Sequence, residues 1–271
     1  MKTSNHPKEA QSKPPILLID DHEEILDFLA DDLGETYQVF TAKDGREGLD
    51  QLFLHPIQLI VSDIMMPGMN GFDFCRIVKS TIEYSHVPII MLTAQNTLNS
   101  KIEGLELGAD AYIEKPFSPE HLQAQIASLL NNRIKIREYF ANSPLVHINS
   151  MAHTRADETF LERLNGLIQD QITNQRLGVE QLADLMYMSR PTLYRKIKAI
   201  SNLSPNDFIK IARLKKAAEL LCNGDYKIYE VSEMVGYSSQ THFGRNFQKQ
   251  FGISPSEYVL KEKNRSRQGN K

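Results

Sequence analysis

Four largely apolar runs in the first half of the chain each lead directly into polar residues. The runs span 16–19, 59–62, 89–92 and 111–114, and they are followed by Asp20 and Asp21, by Asp63, by Thr93 and by Lys115. Short apolar runs are typical of buried strands in a parallel sheet, and ligands of open α/β sheets bind at the carboxyl ends of the strands. The sequence therefore predicts that three carboxylates, one hydroxyl and one ammonium group converge around Asp63.

Helical patterns alternate with these strands. We predict helices over 23–32, 45–54, 72–80, 98–107 and 119–140, and a further strand over 37–41. Regular alternation of strands and helices is typical of a parallel sheet that is covered on both faces. The fold predicted for the first half is therefore α/β, a doubly wound parallel five-stranded sheet.

The residue types at this edge suit the phosphorylation of a carboxylate. A carboxylate attacks a phosphoryl group poorly unless charge repulsion is relieved, and Mg²⁺ relieves it by binding oxygen ligands of both. Asp20, Asp21 and Asp63 can supply the protein's share of those ligands. Lys115 can pair with one phosphoryl oxygen, and Thr93 can donate a hydrogen bond to another.

Phosphatases of the haloacid dehalogenase type also form an aspartyl phosphate at the end of a strand. They need a second Asp two residues after the nucleophile, as the general acid. Met65 occupies that position and cannot transfer a proton. We therefore expect no enzyme activity beyond the domain's own phosphorylation and dephosphorylation.

Residues 15–130 resemble a response-regulator receiver domain. The resemblance is carried by Asp20 and Asp21 and by the stretches 63–71, 92–94, 108–112 and 115–117. It implies a flavodoxin-like fold of the CheY kind. It also implies that Asp63 accepts a phosphoryl group from the phosphohistidine of a sensor histidine kinase.

The same resemblance assigns the residues around Asp63. It implies that Asp21 and Asp63 ligate Mg²⁺, with Asp20 acting largely through water. The backbone carbonyl of Met65 would be a further ligand. Thr93 and Tyr112 match a switch pair, in which the hydroxyl moves to the phosphate and the aromatic ring turns inward.

Two further expectations concern the peptide bond after Lys115 and the assembly of the domain. The peptide bond between Lys115 and Pro116 matches one that is cis in the family. Phosphorylation is expected to promote a homodimer through one face of the domain. That face comprises residues 98–107, residues 111–113 and the helix after Pro119.

Charge divides the chain. Residues 1–130 carry 9 Lys and Arg against 20 Asp and Glu, a net charge of −11. Residues 131–271 carry the remaining 22 against 14, a net charge of +8. An acidic half joined to a basic half indicates a regulatory module tethered to a nucleic-acid binder.

Other features of the sequence bear on where in the cell the protein resides. No stretch approaches the ~18 apolar residues needed to span a bilayer. The polar residues 1–15 lack the apolar segment of a signal peptide. Cys75 and Cys222 fall in different halves, as expected for unpaired thiols in a reducing cytosol. We therefore expect a cytoplasmic protein without a membrane partner.

The second half is helical in pattern from residue 157 and contains an internal repeat. Residues 193–197 correspond to 243–247, and residues 203–209 correspond to 253–259, each at an offset of 50 (245 minus 195). Repeated segments of this kind indicate two similar units in tandem. The sequence therefore predicts an all-α domain built from two units.

Each unit has helix-turn-helix features. A turn at Tyr187–Met188 is followed by Ser189, which can cap the next helix, and a turn at Gly236–Tyr237 is followed by two serines, of which Ser238 or Ser239 can cap. The apolar stripes before the turns are Val179, Leu182, Ala183 and Met186, and Ile228, Val231, Met234 and Val235. The inward residues after the turns are Leu193, Ile197 and Ile200, and Phe243, Phe247 and Phe251. A helix presented in this way can enter the major groove of DNA.

Residues 160–259 resemble the DNA-binding domain of the AraC/XylS family. The supporting stretches are 182–183, 188–195, 213–218, 236–237, 242–247 and 254–258. The resemblance implies seven helices, with a joining helix over 205–222 whose Lys210, Lys215 and Lys216 either touch phosphates or form a solvated face. The residues implied to read bases are Arg190, Tyr194 and Arg195, and Gln240, Thr241 and Arg245. Lys198 and Lys249 are expected to contact phosphates.

These observations predict five segments along the chain. They are a disordered leader over 1–14, a receiver domain over 15–130, a helical extension and linker over 131–156, an AraC-type domain over 157–261 and a disordered tail over 262–271. The predicted function is that of a phosphorylation-controlled transcription regulator of a two-component phosphorelay. Its expected partners are a sensor histidine kinase, double-stranded DNA and RNA polymerase.

Two alternatives stay open. The receiver could store phosphate or bind other proteins beside a vestigial output domain, although the presence of Arg195 and Arg245 argues against this. The same two domains also occur at the C-terminal end of hybrid sensor kinases, where the phosphodonor lies in the same polypeptide. Met1 and a short polar leader favour a free-standing regulator.

Overall fold

The computed structural model describes residues 13–94, 107–143, 145–224 and 226–268. The chain divides into two compact units, Met1–Asn131 and Asn132–Lys271. Within the described ranges, no helix is both long and apolar enough to cross a membrane. Most of the predicted leader, residues 1–12, lies outside the described residues.

The first unit is built on a parallel sheet of five strands. They are β1 Pro15–Ile19, β2 Gln38–Ala42, β3 Leu59–Asp63, β4 Ile89–Thr93 and β5 Ala111–Glu114. The strand order is β2-β1-β3-β4-β5, which is the flavodoxin-like order, and every neighbouring pair is parallel. The predicted fold class is confirmed.

Helices cover both faces of this sheet. They are α1 Glu23–Gly34, α2 Gly45–Leu54, α3 Gly71–Ser80 and α4 Pro119–Asn142. Leu17 of β1 lies in the buried cluster with α2 and α3, whereas Leu18 lies in the cluster with α1 and α4. Strands buried on both faces consist of continuous apolar runs, which is why they are visible in the sequence. The predicted helix over 98–107 falls outside the described residues except for Leu107.

The described part of the second unit consists of helices and their connections. After the last turns of α4 it contains a 3₁₀ helix, Ile148–Met151, and then α5 Arg155–Asp170, α6 Val179–Met186, α7 Arg190–Ser201, α8 Pro205–Asn223, α9 Ile228–Met234, α10 Gln240–Phe251 and α11 Pro255–Gln268. One buried cluster is formed around α5, α6 and α7, and a second around α9, α10 and α11. Helix α8, the predicted joining helix, contributes side chains to both clusters.

The segment predicted to be a linker is partly structured. Helix α4 continues to Asn142, and both Ile148 and Met151 of the 3₁₀ helix are buried in the first cluster of the second unit. This segment is too short to show a sustained hydrophobic period. Tertiary burial of a few apolar side chains holds it in place.

The predicted disordered tail also differs from the structure. Helix α11 continues through the predicted boundary at residue 262 and ends at Gln268. The Lys, Glu, Arg and Gln residues of this stretch have favourable helix propensities. Glu262 and Arg265 add an ion pair at 3.9 Å with helical (i, i+3) spacing.

Candidate phosphorylation site and nucleic-acid interface

The predicted acidic residues meet at the carboxyl edge of the sheet, between β1 and β3. These two strands pair with Ile19 opposite Ser62, so Asp20 and Asp63 leave the sheet side by side. Asp20 is 2% exposed and Asp63 is 5% exposed. The strand order reverses at β1 and β3, and this is where ligands bind in open α/β sheets.

Lys115 joins these two carboxylates. Its Nζ lies 2.8 Å from Asp20 Oδ2 and 2.8 Å from Asp63 Oδ1. Burial alone would lower the pKa of Lys115, but hydrogen bonds and charges from both carboxylates outweigh this and raise the pKa. Lys115 is therefore a fixed cation between the two acids. The peptide bond from Lys115 to Pro116 is cis, as predicted.

Asp20, Asp21 and His22 form a compact group of possible metal ligands. The backbone N–H of His22 donates to Asp20 Oδ1 at 3.0 Å. A side-chain hydrogen bond with Asp20 and the nearby charge of Asp21 raise the pKa of His22. Among the described residues, no hydrogen-bond donor is aligned with the buried Asp21 Oδ1, although His22 Nδ1 lies 3.1 Å away. A buried carboxylate oxygen among other carboxylates suits a hard divalent cation.

The loop after Asp63 approaches that residue closely. The backbone N–H of Met65 donates to Asp63 Oδ2 at 3.2 Å, whereas the Met65 side chain is 70% exposed. The N–H of Gly71 donates to the carbonyl of Ile64 at 3.0 Å. A Cβ atom at Gly71 would lie 2.3 Å from the backbone oxygen of Asp63, so only glycine allows this approach. The loop therefore orients Asp63 through backbone contacts.

The predicted switch residues lie on the two strands beyond Asp63. Thr93 ends β4 and is 4% exposed. Tyr112 lies on β5 opposite Met91, and it packs, partly buried, against the cluster of α2 and α3. The part of the predicted dimer face over residues 98–106 falls outside the described residues.

The first predicted helix-turn-helix unit is formed by α6 and α7. Tyr187 follows α6 in the left-handed conformation, with φ of 56°. Ser189 caps α7, because its side-chain oxygen accepts a hydrogen bond from the N–H of Thr192 at 3.3 Å. Leu193 and Ile197 are buried as predicted. The residues assigned to DNA on this helix are all exposed: Arg190, Tyr194, Arg195 and Lys198.

The second predicted helix-turn-helix unit is formed by α9 and α10. Ser239 is the cap of α10, since its side-chain oxygen accepts from the N–H of His242 at 3.4 Å. Met234, assigned to the apolar stripe, is 37% exposed, because α9 ends there and the chain turns to bury Val235 instead. The residues assigned to DNA on α10 are all exposed: Gln240, Thr241, Arg245 and Lys249.

Two of the exposed cations on α7 have partners within the chain. Arg190 Nη1 lies 2.9 Å from Glu180 Oε1, and Lys198 Nζ donates to the carbonyl of Asn202 at 2.8 Å. Exposed ion pairs contribute only about 0–1 kcal/mol to stability. Arg190 can therefore exchange its contact with Glu180 for other contacts at little cost.

Two lysines of the second unit are buried and bind acceptors within that unit. Lys215 donates to the carbonyls of Ser143 and Val146, and burial lowers its pKa to about 8. Both alternatives predicted for Lys215, a phosphate contact and a solvated face, are therefore wrong, since this side chain is buried. Lys196 Nζ lies 2.5 Å from Asp157 Oδ1, and both side chains are fully buried. Helical spacing did not indicate that these long side chains fold inward to meet acceptors.

The fold and the two sites define a class of proteins that join an α/β domain with an acidic edge to a helix-turn-helix domain. The family model of the response regulator receiver domain matches residues 16–127, and that of a helix-turn-helix domain matches residues 182–261. The first unit belongs to the response regulator receiver family, and the second carries a helix-turn-helix domain of the AraC type. Both resemblances drawn from the sequence are confirmed.

Individual relatives share one or both units. Histidine kinase P4 of Formosa agariphila is 35% identical over 248 residues, which is 92% of this chain and 18% of the kinase. Response regulator ArlR of Staphylococcus aureus (strain Mu50) is 39% identical over 119 residues, which is 44% of this chain and 53% of ArlR. The chain thus spans about half of one relative and less than a fifth of the other.

A solved structure also resembles the first unit. The response regulator receiver domain protein (CheY-like) from Methanospirillum hungatei is 32% identical, with a TM-score of 0.44. The match covers 46% of this chain and 98% of that protein.

Proposed function

We propose that this chain is a phosphorylation-controlled, DNA-binding transcription regulator of a two-component phosphorelay. The observation that carries the proposal is that one chain joins two buried carboxylates, Asp20 and Asp63, held by Lys115, to two capped helices with exposed polar faces, α7 and α10. A sensor histidine kinase is the proposed phosphodonor, and double-stranded DNA is the proposed target. The receiver unit would catalyse only its own phosphorylation and dephosphorylation.

Asp63 is the proposed nucleophile. Hydrogen bonding from Met65 to its Oδ2 and the ammonium of Lys115 at its Oδ1 orient the carboxylate before a phosphodonor arrives. After transfer, Lys115 would pair with one phosphoryl oxygen and Thr93 would donate to another. The added charge of about −1.5 to −2 would bias the Thr93–Tyr112 pair between two arrangements.

The acidic cluster fits a magnesium ion. Asp21, Asp63 and the backbone carbonyl of Met65 are the proposed ligands. Asp20 would act through water, because His22 engages its Oδ1 and Lys115 engages its Oδ2. When bound, magnesium supplies positive charge that offsets the repulsion between carboxylate and phosphoryl oxygens.

Phosphorylation by acetyl phosphate with magnesium tests this assignment. Intact-protein mass spectrometry should show one phosphoryl group on the wild-type chain, a reduced yield for Asp20→Asn and none for Asp63→Asn. Asp73→Asn is the matched control, since Asp73 is a partly exposed carboxylate on α3 that pairs with Arg76. A phosphoryl adduct that survives in Asp63→Asn would show that another residue is the acceptor.

Assembly and transcription are part of the same proposal. Phosphorylation is proposed to drive dimerisation through the face that contains Tyr112 and the helix after Pro119. The dimer would then bind DNA through α7 and α10 of each chain and contact RNA polymerase. Support comes from the basic second unit, with 22 Lys and Arg against 14 Asp and Glu over residues 131–271.

A second candidate is that the chain is the output part of a hybrid sensor kinase. The match with histidine kinase P4 extends over 92% of this chain, whereas the match with ArlR extends over 44%. An antibody against residues 132–271 distinguishes the two on an immunoblot of the source cells. A band near 30.9 kDa supports a free-standing regulator, and a band several times larger supports the hybrid kinase.

A further inference from the structure

The last turns of α4 contact α7 and α10, the two helices of the second unit that are proposed to read bases and are called the reading helices below. Arg137 Nε donates to the carbonyl of Ile200 at 3.0 Å, and its Nη2 donates to the carbonyl of Ala199. Both carbonyls belong to the last turn of α7, where helix carbonyls have no partner within the helix. Burial and the neighbouring Arg133 lower the pKa of Arg137 to about 10, so it remains a cation at neutral pH.

The other reading helix meets α4 one turn further along. Gln250, in the last turn of α10, donates its side-chain N–H to the carbonyl of Ala141 at 2.9 Å. Arg137 and Ala141 are four residues apart and therefore lie on one face of α4. The same face thus meets the carboxyl-terminal end of α7 and the carboxyl-terminal end of α10.

Helix α8 holds this part of α4 in place. Phe140 is 1% exposed and stacks on Phe208, with ring centroids 6.3 Å apart. Lys215 Nζ lies 4.3 Å from the centre of the Phe140 ring and donates to the carbonyls of Ser143 and Val146. A buried aromatic ring and a buried cation therefore fix the end of α4 against α8, which joins the two helix-turn-helix units.

The two reading helices otherwise belong to different cores. Leu193 of α7 lies in the first buried cluster of the second unit, and Phe243 of α10 lies in the second. The matched helix-turn-helix domain covers residues 182–261, so the end of α4 lies outside it. The contact from α4 to both helices therefore comes from outside the matched domain.

We propose that the end of α4 is a brace, formed by Arg137, Phe140, Ala141, Ser143 and Val146, that fixes the separation between α7 and α10. Arg137 and Gln250 are then positioning residues. They set the distance between the two DNA segments that the chain can bind at once, and they do not touch DNA. This inference rests on the proposed DNA-binding function, in which α7 and α10 enter two successive major-groove segments about one helical turn (~34 Å) apart.

Selection from a library of random-sequence DNA duplexes tests the brace, with the full chain phosphorylated by acetyl phosphate. The wild-type chain should enrich two sequence elements at one fixed separation. Gln250→Ala and Arg137→Ala should enrich the same two elements over a broader range of separations. Lys135→Ala is the matched control, because it removes a cation from an exposed position of the same helix and should keep the fixed separation.

Binding titrations give the size of the effect. Inserting one base pair between the two selected elements should lower the affinity of the wild-type chain at least about tenfold. In Gln250→Ala this loss of affinity should fall to about two- to threefold, because one net hydrogen bond corresponds to about fivefold in an equilibrium constant. If Arg137→Ala does not fold, Gln250→Ala decides, since it removes one hydrogen bond at a half-buried position. A purely structural role would lower affinity for all spacings equally.

The possible failures are distinguishable. Arg195→Ala, selected in parallel, should lose the first element and keep the second. If that holds and Gln250→Ala keeps the wild-type separation, the brace is wrong and the DNA-binding proposal stands. If the wild-type chain enriches no recurrent sequence, the DNA-binding proposal and the brace both fail.

Discussion

Single residues decide several of the turns on which the second unit depends, and Gly236 is the clearest case. It precedes the turn residue Tyr237 with φ of 77°, and a Cβ atom there would lie 2.4 Å from the carbonyl oxygen of Ile172. Gly244 differs: it lies within α10, and no described atom outside that helix's backbone is within 4 Å of its would-be Cβ. The two glycines therefore form a matched pair.

Alanine at these two positions should have opposite effects on the free energy of unfolding. Gly236→Ala should destabilise the second unit by ~1–3 kcal/mol or more, because it adds strain at positive φ and a steric clash with backbone. Gly244→Ala should stabilise it by up to ~1 kcal/mol through helix propensity. Hydrogen exchange of peptides from the second unit measures both changes. Equal effects of the two substitutions would contradict the steric argument.

Residue identities at the acidic edge were largely predictable, and the partners of buried cations were not. Asp63 and Lys115 could be placed because parallel strands bring their carboxyl ends together. His22 carried only one signal, its position directly after an acidic pair, and was missed. Arg137 was missed and Lys215 was misplaced, because their acceptors are backbone carbonyls that are distant in sequence. Local sequence patterns do not indicate such contacts.

At the scale of elements, a buried ion pair joins α5 to α7. Lys196→Met alone should destabilise the second unit by about 3–5 kcal/mol, because it leaves the fully buried Asp157 carboxylate without its ammonium partner. The double variant Lys196→Met, Asp157→Leu should recover most of that loss. Thermal unfolding followed by circular dichroism provides the comparison.

The exposed pair between Glu180 and Arg190 is the control for this experiment. Glu180→Ala should cost less than about 1 kcal/mol, because water screens the pair. If Lys196→Met costs no more than Glu180→Ala, the buried pair does not hold α7 against α5.

Elements with strong periodicity or strong boundaries were predicted well. The strand predicted over 59–62 appears as Leu59–Asp63, and the helix predicted over 45–54 appears as Gly45–Leu54, because apolar runs and capping residues such as Asp44 mark them. The connector after Asn142 was not predicted as structured. Its 3₁₀ helix is too short for a pattern, and it forms because Ile148 and Met151 complete a core assembled from distant helices.

At the scale of the whole molecule, composition predicted the division of the chain. The end of the predicted receiver domain at residue 130, which separates the acidic half from the basic half, lies one residue before the end of the first compact unit at Asn131. The sequence predicted that the helix after Pro119 continues past this boundary to residue 140, but it did not indicate that the last turns of α4 pack within the second unit. That packing depends on contacts of Arg137 and Phe140 that no local pattern specifies.

The net charge of +8 over residues 131–271 makes salt dependence a sensitive measure of how the whole chain binds DNA. Lys249→Ala should lower affinity equally for a selected operator and for random DNA, and it should reduce the salt slope by ~0.9, because one phosphate contact is lost. Arg195→Ala and Arg245→Ala should instead lose about 1–3 kcal/mol of preference for the operator, since each removes a base contact. Lys135→Ala, exposed on α4, should change neither quantity. Binding at several salt concentrations separates these outcomes, and equal losses on both DNAs for the arginine variants would mean that they contact only the backbone.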